Sequence, residues 1–528
     1  MLPSAFVFYM RREKDWYKLK RYPHIGLPLK LRHRGWVEDY ITVPENIASH
    51  SFFPFIHRKL SVRKFRRAKN NDGTKSLERI ESYKDREVFY ASHLDSMIFA
   101  YYSQLITAAY EKKLKSAGLQ DCVTAYRSVP LNPHSKVSRN KCNVDFANDV
   151  FSYIKVNNRR NLVAITFDIT SFFDNLNHKR LKDVWAKILD MPRLPDDHYA
   201  IFRNLTKFSY VEFEEIFDLF KDEILVEKAG RVTKQKVPNT NLLKEKNAVA
   251  FCKTKDFNNK IRNNNLIKNN KYHSKADYTA GILRKKGIPQ GSPISATLAN
   301  IYLFDFDSFV NDFITLKGGI YRRYSDDMVV VIDEMYLHEI HSLLINEIKN
   351  YELEIQPSKS QVFYFKKFDG KYGCKELNQY TDELSANTKF EYLGFAFDGQ
   401  TVSLKCSGLS KFYRKMKRSI RRGGFYAKYG KNQKPVLFKN RLYKRFTAVG
   451  AHRREVIKPL RGMPGKYIKT GEYDWGNYLT YANLGLNVFS DSIIKRQIRN
   501  HWNKFHQLMK TKETEINRFY TRKKKPLS

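Results

Sequence analysis

The stretch RRYSDDMVVVI, residues Arg322 to Ile332, places two aspartates directly before an apolar run that predicts a buried strand. Asp326 and Asp327 are therefore expected where this strand begins. Aspartate is also common in turns, so a hairpin with an acidic tip explains the pair equally well. A short motif stays a hypothesis until its context is known, and the rest of the chain supplies that context.

The charge of the chain indicates a polyanionic partner. Among 528 residues, 96 Lys and Arg outnumber 54 Asp and Glu, which gives a formal net charge of +42. Such a surplus repels itself unless a polyanion lies against it, and nucleic acid is the obvious candidate. The length predicts two or three packed units, and 42% hydrophobic residues supply their cores.

Membrane, secreted and zinc-binding proteins are disfavoured. No apolar run approaches the length that spans a bilayer. The start, MLPSAFVFYMRREK, has no basic residue before its apolar stretch, so a signal peptide is not expected. The five cysteines are scattered without a CxxC pair, which fits a reducing cytoplasm and argues against zinc. We therefore expect a cytoplasmic protein without a membrane partner.

The N-terminal half is expected to alternate between basic and apolar segments. Residues 1 to about 80 are basic and irregular, and RRAKNNDGTKS from Arg66 to Ser76 predicts a mobile loop. The apolar, aromatic stretch from Glu87 to Tyr110 predicts one or two buried helices. The run NLVAITFD, Asn161 to Asp168, predicts a buried strand, and a helix is expected after it. The Asn/Lys-rich segment from Asn258 to Lys271 is expected to be a solvated insertion without a core.

Further strands are expected around Met328 to Ile332 and Phe390 to Phe397, and basic helices beyond Val402. If the strand that ends at Asp168 lies beside the one that begins at Asp327, three carboxylates converge. Like charges raise one another's pKa, and divalent cations relieve the repulsion. Two Mg²⁺ ions about 3.5–4 Å apart are the usual apparatus of in-line phosphoryl transfer. Taken alone, Asp168 is better explained as a helix N-cap or a strand-end turn than as a catalytic residue. Its pairing with the other two acids is what favours catalysis.

Between these acids lies GIPQGSPISATLANIYLFDFD, which starts at Gly287. Gly287 and Gly291 let the backbone pass close to a ligand, and Ser292 before Pro293 suits an N-cap and the first helical position. A glycine-lined loop that opens directly into a helix favours phosphate. An ordinary loop-to-helix turn explains the glycines and the proline, but not Gln290 between them.

The motifs FDITSFFDNLNH, GIPQGSPIS, LANIYLFDFD and YSDD resemble those of reverse transcriptases in order and wording, in the style of bacterial group II intron, retron and defence-associated enzymes. LEIQPSKSQVF resembles their lysine-bearing palm segment and KFEYLGFAF their primer grip. AYRSV resembles a fingers segment, while YASHLDSMIFAYYSQ and WGNYLTYAN resemble signatures of the abortive-infection branch. The retron thumb signature and the intron endonuclease tail are not seen, and neither absence is decisive.

The resemblance implies an α+β fold of the right-hand polymerase type, with fingers, a palm carrying an antiparallel sheet, and a helical basic thumb. We expect a basic N-terminal extension at 1–85 and fingers and palm at 86–398. An Asn/Lys-rich insertion is expected at about 205–280 of the latter, and the helical thumb and C-terminal region at 399–528.

The resemblance also implies that Asp168, Asp326 and Asp327 hold two Mg²⁺ ions, with Mn²⁺ as an alternative, and these are the three acids reached from the strand pattern. Lys359 is expected near the leaving pyrophosphate, as counter-charge or proton donor. A solvated lysine remains the alternative in a chain this basic.

Nucleotide contacts are expected at four positions. Phe173 falls where these enzymes place an aromatic ring that excludes a 2′-hydroxyl, and core packing is its alternative. Gln290 and Gly291 are expected against the nucleotide and template. Arg127 is the candidate for the triphosphate, because a guanidinium fork matches phosphate oxygens, and a surface arginine explains it equally well.

Nucleic-acid contacts are expected in the C-terminal part. Tyr392, Leu393 and Gly394 are implied by the resemblance to support the primer. The segment from Lys411 to Lys434 carries ten Lys or Arg and no acid. An apolar stripe at helical spacing leaves its cations on the other faces to grip a duplex, although a solvated charged face is the usual explanation. The cations selected are Lys411, Arg414, Lys415, Arg418, Arg421 and Arg422.

The expected function is RNA-directed DNA synthesis from deoxynucleoside triphosphates, on a dedicated structured noncoding RNA, in bacterial antiviral defence. Three alternatives stay open. They are a template-independent or protein-primed nucleotidyl transferase, a retron or group II intron-like enzyme, and an inactive RNA-binding scaffold. The oligomeric state, including a homo-oligomer, is also open.

Overall fold

The computed structural model describes most of the chain. The described residues are 15–70, 75–132, 139–272, 275–356, 359–378, 381–385, 388–430, 436–451, 455–459, 467–473 and 476–524. They form two compact units, through which the chain passes more than once. The first unit comprises 1–127, 165–361 and 378–382, and the second comprises 128–164, 362–377 and 383–528. The sequence-based division at residues 85 and 398 stays a prediction.

Runs of consecutive strands and runs of consecutive helices follow one another along the chain, so the predicted α+β class is confirmed. The helices are α1 (Arg34–Ile41), α2 (Pro44–Ala48), α3 (His93–Ser116), α4 (Asn143–Val156), α5 (Phe172–Asn175), α6 (His178–Ile188), α7 (Asp196–Thr206), α8 (Phe213–Phe220), α9 (Lys275–Thr279), α10 (Ser295–Tyr302), α11 (Phe304–Leu316), α12 (Leu337–Asn350), α13 (Cys406–Tyr429), α14 (Lys439–Phe446), α15 (Tyr478–Phe489), α16 (Ser492–Ile498) and α17 (His501–Lys524). The strands are β1 (His24–Ile25), β2 (Phe55–Lys59), β3 (Val62–Lys69), β4 (Lys75–Lys84), β5 (Glu87–Tyr90), β6 (Leu162–Asp168), β7 (Ser209–Glu212), β8 (Ile224–Lys228), β9 (Arg231–Gln235), β10 (Ala248–Cys252), β11 (Lys268–Asn269), β12 (Ile320–Tyr324), β13 (Asp327–Asp333), β14 (Gln361–Phe368), β15 (Lys371–Asn378), β16 (Glu383–Ser385), β17 (Phe390–Tyr392), β18 (Phe395–Phe397), β19 (Val402–Leu404), β20 (Glu455–Pro459) and β21 (Tyr467–Tyr473).

The strands that carry the acidic motifs lie in the first unit, except for the start of β6. Antiparallel β12 and β13 form a hairpin, and the end of β6 lies beside β13. The apolar residues of β13 from Met328 to Ile332 are at most 1% exposed. The β-branched side chains that fill β13 suit a strand that is covered on both faces. The predicted strands at the two acidic motifs are therefore confirmed, as is the predicted helix after β6, which is α6.

Two further sheets of the first unit share a core, with strand orders β11-β7-β2-β5 and β1-β10-β8-β9. The Asn/Lys-rich segment contributes to that core, so its expected solvation is wrong. Ile261 is fully buried, and Leu266 and Ile267 pack against the same cluster. A few well-placed apolar residues attach this segment, although its average composition is polar.

The N-terminal region is more regular than its composition indicates. β3 and β4 pair as an antiparallel ribbon from Val62 opposite Lys84 to Lys69 opposite Lys75. The predicted irregular structure is therefore wrong here, because β3 and β4 satisfy their backbone groups by pairing with each other. Residues 71–74 of the predicted mobile loop lie outside the described residues.

The second unit is mostly helical after β19. The predicted apolar stripe of α13 is confirmed, with Phe412, Met416 and Ile420 buried against α14 and α17 residues. The expected strand at 390–397 is a tight hairpin of β17 and β18. Among the described residues of both units, no helix combines the length and hydropathy needed to cross a membrane.

Candidate active site

The turn between β12 and β13 carries two of the three predicted acids. Tyr324 pairs with Asp327 across the hairpin, so Ser325 and Asp326 form its two-residue turn. Ser325 has φ +62°, a left-handed conformation that non-glycine residues adopt in tight hairpins. Asp327 is exposed and Asp326 is half-buried, whereas the strand behind them is buried. The carboxylates therefore stand on a rigid support.

The third predicted acid lies at the adjacent strand end. The backbone N–H of Ile169 donates a hydrogen bond to the carbonyl of Asp326, at 3.3 Å. Asp168 directly precedes Ile169 and ends β6. The structure thus shows the juxtaposition that the strand pattern predicted, with Asp168 beside the acidic turn.

Lys359 forms an ion pair with Asp168. Its Nζ is 2.6 Å from Oδ1 of Asp168, and the two side chains are 46% and 19% exposed. The N–H of Gln356 donates to the carbonyl of Asp168 at 2.8 Å, which brings the lysine segment to this strand end. The structure therefore joins the predicted lysine to the predicted acids, in a contact that sequence reasoning did not specify.

The three acids fit Mg²⁺ in donor chemistry, because hard cations prefer carboxylate oxygens. Their side chains are not yet arranged as ligands. Within the described ranges, no three His, Cys, Asp or Glu side chains are grouped so as to hold a metal ion. Asp168 is paired with Lys359 instead. Binding of a cation by all three acids therefore requires Asp168 to exchange its lysine partner.

The glycine-lined loop lies against β5 and α5. The N–H of Phe89 donates to the carbonyl of Gln290 at 2.8 Å, and the N–H of Ile288 donates to the carbonyl of Phe173 at 2.9 Å. Gly291 has φ +118°, and a Cβ there would lie 2.8 Å from the Phe89 carbonyl oxygen. Glycine is required at this position both for its backbone conformation and for the close approach of β5.

The helix after this loop begins later than predicted. Ser292 does not cap it, because α10 starts at Ser295 and the hydroxyl of Ser292 has no hydrogen-bond partner in the described residues. The Ser295 hydroxyl instead donates to the Pro289 carbonyl at 2.7 Å. An additional turn, stabilised by this bond, separates Gly291 from the helix, so the predicted direct opening into a helix is wrong.

The two adjacent phenylalanines of the first motif differ in burial. Phe172 is 3% exposed, whereas Phe173 is half-buried. Their ring centroids lie 5.8 Å apart. Phe172 therefore fills the core, and the ring of Phe173 remains partly accessible beside the loop that carries Gln290.

The side chain of Arg127 is hydrogen-bonded to other residues of the first unit. Its side chain is 4% exposed, and its guanidinium donates to both carboxylate oxygens of Glu111, at 2.8 and 2.7 Å. It also donates to the carbonyls of Gln120, at 2.7 Å, and Val123. The expected triphosphate contact stays a prediction, and it requires Arg127 to give up these partners.

Sequence reasoning missed a buried ion pair beneath the acidic turn. Arg323 and Asp307 are both fully buried, with Nη2 of Arg323 2.5 Å from Oδ2 of Asp307. Burial alone would lower the pKa of Arg323, but the Asp307 carboxylate raises it, so the guanidinium stays charged. Both residues belong to quoted motifs, and an arginine directly before YSDD was the available signal.

Two of the three predicted primer contacts form a hairpin turn of the second unit, and the third, Tyr392, is buried at the end of β17. Leu393 and Gly394 have φ +43° and +95° between β17 and β18. The hydroxyl of Tyr481 donates to the Leu393 carbonyl at 3.0 Å, so the motif that contains LTYAN supports this turn. Trp475 of that motif lies outside the described residues.

The predicted thumb cations are exposed along α13. Within the described residues none of them forms an ion pair with a carboxylate. They are Lys411, Arg414, Lys415, Arg418, Arg421 and Arg422. The apolar stripe of α13 is buried, and its remaining surface exposes these cations together with the aromatic rings of Phe425, Tyr426 and Tyr429.

The solved structures to which this chain is similar include telomerases. Apo telomerase from Candida tropicalis, truncated from its C-terminal domain, is 13% identical and has a TM-score of 0.37, covering 62% of this chain and 54% of its own. The longer apo telomerase from Candida tropicalis is 12% identical, with a TM-score of 0.35 and coverages of 81% and 57%. Telomerase from Candida albicans with the TWJ fragment of telomeric RNA is 11% identical, with a TM-score of 0.34 and coverages of 92% and 62%. The chain thus spans less than two thirds of each telomerase chain.

Residues 201–397 match the family described as reverse transcriptase (RNA-dependent DNA polymerase). The matched range contains Gln290, Gly291, Asp326, Asp327 and Lys359. Asp168 precedes it in sequence and is joined to it by the backbone contacts at the strand end. This range, which is less than half of the chain, is therefore similar to a reverse transcriptase domain, and the match indicates an RNA-directed DNA polymerase.

Proposed function

We propose that this chain synthesises DNA on an RNA template, by phosphoryl transfer at Asp168, Asp326 and Asp327. The observation that carries the proposal is the 3.3 Å hydrogen bond from the Ile169 N–H to the Asp326 carbonyl. It supports the convergence of three acids from two chain segments on one strand edge. Two bound Mg²⁺ ions, or Mn²⁺ in their place, would activate the attacking oxygen and stabilise the leaving group.

Residues of the chain would hold the acids in place and balance their charge. The buried strand β13 gives Asp326 and Asp327 a rigid support, which a metal site needs. Lys359 neutralises Asp168 at 2.6 Å in the structure. Its side chain is nearly half exposed, so it is free to turn toward a leaving pyrophosphate as counter-charge or proton donor.

Selection of deoxynucleotides is assigned to Phe173. Its partly accessible ring and the hydrogen bond from Ile288 to its carbonyl support a position beside the nucleotide. A ring at that position leaves no room for a 2′-hydroxyl, so ribonucleotides are excluded by size. Gln290 and Gly291 are assigned to the nucleotide and template on the same side of the loop.

The partner is assigned as a structured noncoding RNA, and the biological role as bacterial antiviral defence. Support for RNA comes from the exposed cations of α13 and from the basic ribbon of β3 and β4, in addition to the net charge of +42. Folded RNA offers phosphates by shape and backbone contacts without a sequence code. The defence role rests on the resemblance of the motifs to the abortive-infection branch.

Primer extension with the purified chain tests the activity. We expect deoxynucleotides to be added on an RNA template and little addition without a template. Template-independent addition, or DNA bound covalently to the protein, would favour the transferase alternative. Absence of any incorporation, with RNA binding retained, would favour the inactive scaffold.

The RNA that accompanies the chain through purification tests the partner. After a high-salt wash, one enriched species encoded near the gene supports a dedicated RNA. A random sample of cellular RNA contradicts it, because nonspecific binding depends on counterion release and is lost in salt. Phage plaque counts with the active chain and with a variant lacking Asp326 and Asp327 test the defence role.

A further inference from the structure

The buried guanidinium of Arg323 makes a complete set of hydrogen bonds beneath the acidic turn. Its Nε and Nη2 donate to Asp307, at 2.7 and 2.5 Å. The second N–H of Nη2 donates to the Asn300 carbonyl at 3.2 Å, and Nη1 donates to the Asn300 Oδ1 at 3.3 Å. The remaining Nη1 N–H donates to the carbonyl of Ser325 at 3.1 Å.

This last bond connects the network to the turn itself. Ser325 is the residue with φ +62° and directly precedes Asp326. A non-glycine residue in the left-handed region persists only where its surroundings hold it there. The hydrogen bond from Arg323 to the Ser325 carbonyl restrains Ser325 in this conformation. The Arg323 side chain cannot move without breaking its other hydrogen bonds.

The same network reaches the other predicted site segments. Asn300 lies on α10, the helix that follows the loop carrying Gln290, and Asp307 lies on α11. The side-chain amide of Asn300 donates to the Ala125 carbonyl at 2.8 Å, in the AYRSV segment. Two motif helices and one motif segment are thus tied to the acidic turn through Arg323.

Stability does not explain a buried ion pair. The desolvation cost of two charges often exceeds their attraction, so replacing a buried pair with apolar side chains of similar volume is often neutral or stabilising. An apolar pair, however, could not hold the Ser325 carbonyl. The geometry therefore favours orientation of the turn as the role of the pair.

We propose that Arg323 and Asp307 are positioning residues that orient the Ser325–Asp326 turn, and with it Asp326 and Asp327, toward Asp168. The proposal rests on the proposed function for its catalytic consequence. Neither residue is expected to touch substrate, because both are fully buried. Their effect on catalysis is exerted through the turn.

The test replaces the pair with apolar residues, in the double variant Arg323→Met with Asp307→Leu. We expect the double variant to fold with a lower thermal midpoint, because the buried Tyr321 hydroxyl loses the Asp307 oxygen to which it donates at 3.0 Å. We expect kcat to fall about 10²-fold, because misplacement of reacting groups by 1 Å has such an effect. The Mg²⁺ concentration for half-maximal activity should rise about 10-fold, as when partners behind metal ligands are lost. KM for the primer–template should change little.

Two controls separate positioning from general destabilisation. Tyr102→Phe removes a different buried hydrogen bond to a carboxylate in the same unit, from the Tyr102 hydroxyl to Asp197 Oδ2 at 2.6 Å. It should leave the Mg²⁺ requirement unchanged. Arg323→Lys keeps the charge but cannot reach Asp307, Asn300 and Ser325 together. It should fold, lose kcat and raise the Mg²⁺ requirement.

Hydrogen exchange over residues 322–333 measures how well the backbone amides of the turn are protected. The measurement does not require the chain to be enzymatically active. Faster exchange of the Ser325 to Asp327 amides in the double variant supports the proposal, even if the unchanged chain incorporates no nucleotide and the proposed function fails. A folded double variant with unchanged kcat, Mg²⁺ requirement and exchange overturns it. If the double variant does not fold, the same unchanged values in Arg323→Lys overturn it.

Discussion

The acidic turn of the first unit and the helix α13 of the second unit use charge in opposite ways. Beneath the turn, Arg323 and Asp307 are fully buried and paired at 2.5 Å. On α13 the six predicted cations are exposed, and none of them has a carboxylate partner among the described residues. The first arrangement fixes the geometry of a few atoms, and the second provides a field of positive charge.

This difference predicts how each region responds to substitution. A buried, fully bonded charge depends on every partner, so one change affects the whole network. Exposed charges act largely independently, because solvent and salt screen them from one another. Large, non-additive effects are therefore expected at the turn, and small, additive, salt-dependent effects on α13.

The largest effect is expected from Asp326→Ala with Asp327→Ala. Nucleotide incorporation should be abolished while the thermal midpoint is retained, because two proposed metal ligands are lost and the buried strand behind them is unchanged. Primer extension measures the loss. Asp333→Ala, at the other end of β13, removes a carboxylate that accepts from the Met335 N–H at 3.3 Å, and it should keep activity. Normal incorporation by the double variant would contradict the proposal that Asp326 and Asp327 hold two metal ions.

Phe173→Ala should change selectivity rather than turnover. Removing the ring opens space for a 2′-hydroxyl, so the preference for deoxynucleotides over ribonucleotides should fall by about 10-fold or more, as steric rejection is lost. Competing nucleotides in primer extension measure the ratio. Phe172→Leu, in the buried neighbour, should lower stability and leave the ratio alone. An unchanged ratio in Phe173→Ala would show that the ring serves core packing and does not select the nucleotide.

Acid should destabilise the first unit through a neutral buried histidine. Burial first, and His93 second, lower the pKa of His24 from 6.5 to about 3. Its ring accepts from the Ile25 N–H at 2.7 Å, a bond that only the neutral ring can make. As pH falls below 6.5 the unfolded chain takes up the proton first. Stability is therefore lost between pH 6.5 and about 3, at about 1.4 kcal/mol per pH unit.

Denaturant midpoints between pH 7 and pH 5 measure that loss. His24→Gln should reduce the pH dependence without abolishing it, because the glutamine does not titrate but burial also lowers the pKa of His93, to about 4. The exposed His338, changed to Gln, should leave the slope as it is. Equal slopes in all three chains would show that His24 does not govern the acid response.

The smallest effects are expected on α13. Arg418→Ala and Arg421→Ala should each weaken RNA binding only a few-fold, roughly additively, and lower the slope of log affinity against log salt by about 1 per cation. Fluorescence anisotropy across salt concentrations measures both quantities. Arg193→Ala, an exposed arginine of the first unit, is the matched control. Strongly non-additive losses would mean that these cations act as one network, as the buried pair does.

The local patterns predicted much of what the structure shows at the palm. Buried β-branched runs identified β6 and β13, and the positions of Asp168 and Asp327 at their ends followed directly. The amphipathic stripe of α13 was equally readable, because a 3.6-residue period is a local property. Predictions based on average composition were wrong, as for the buried Ile261 in its polar segment.

The sequence by itself determined the kind of chemistry available, since the acids, the glycine loop and the basic helix are local in the chain. Only the tertiary structure decided which groups are engaged. It placed Lys359 on Asp168, Arg127 on Glu111 and Arg323 beneath the turn. These pairs join residues distant in sequence, and partner choice depends on packing, which no local period encodes.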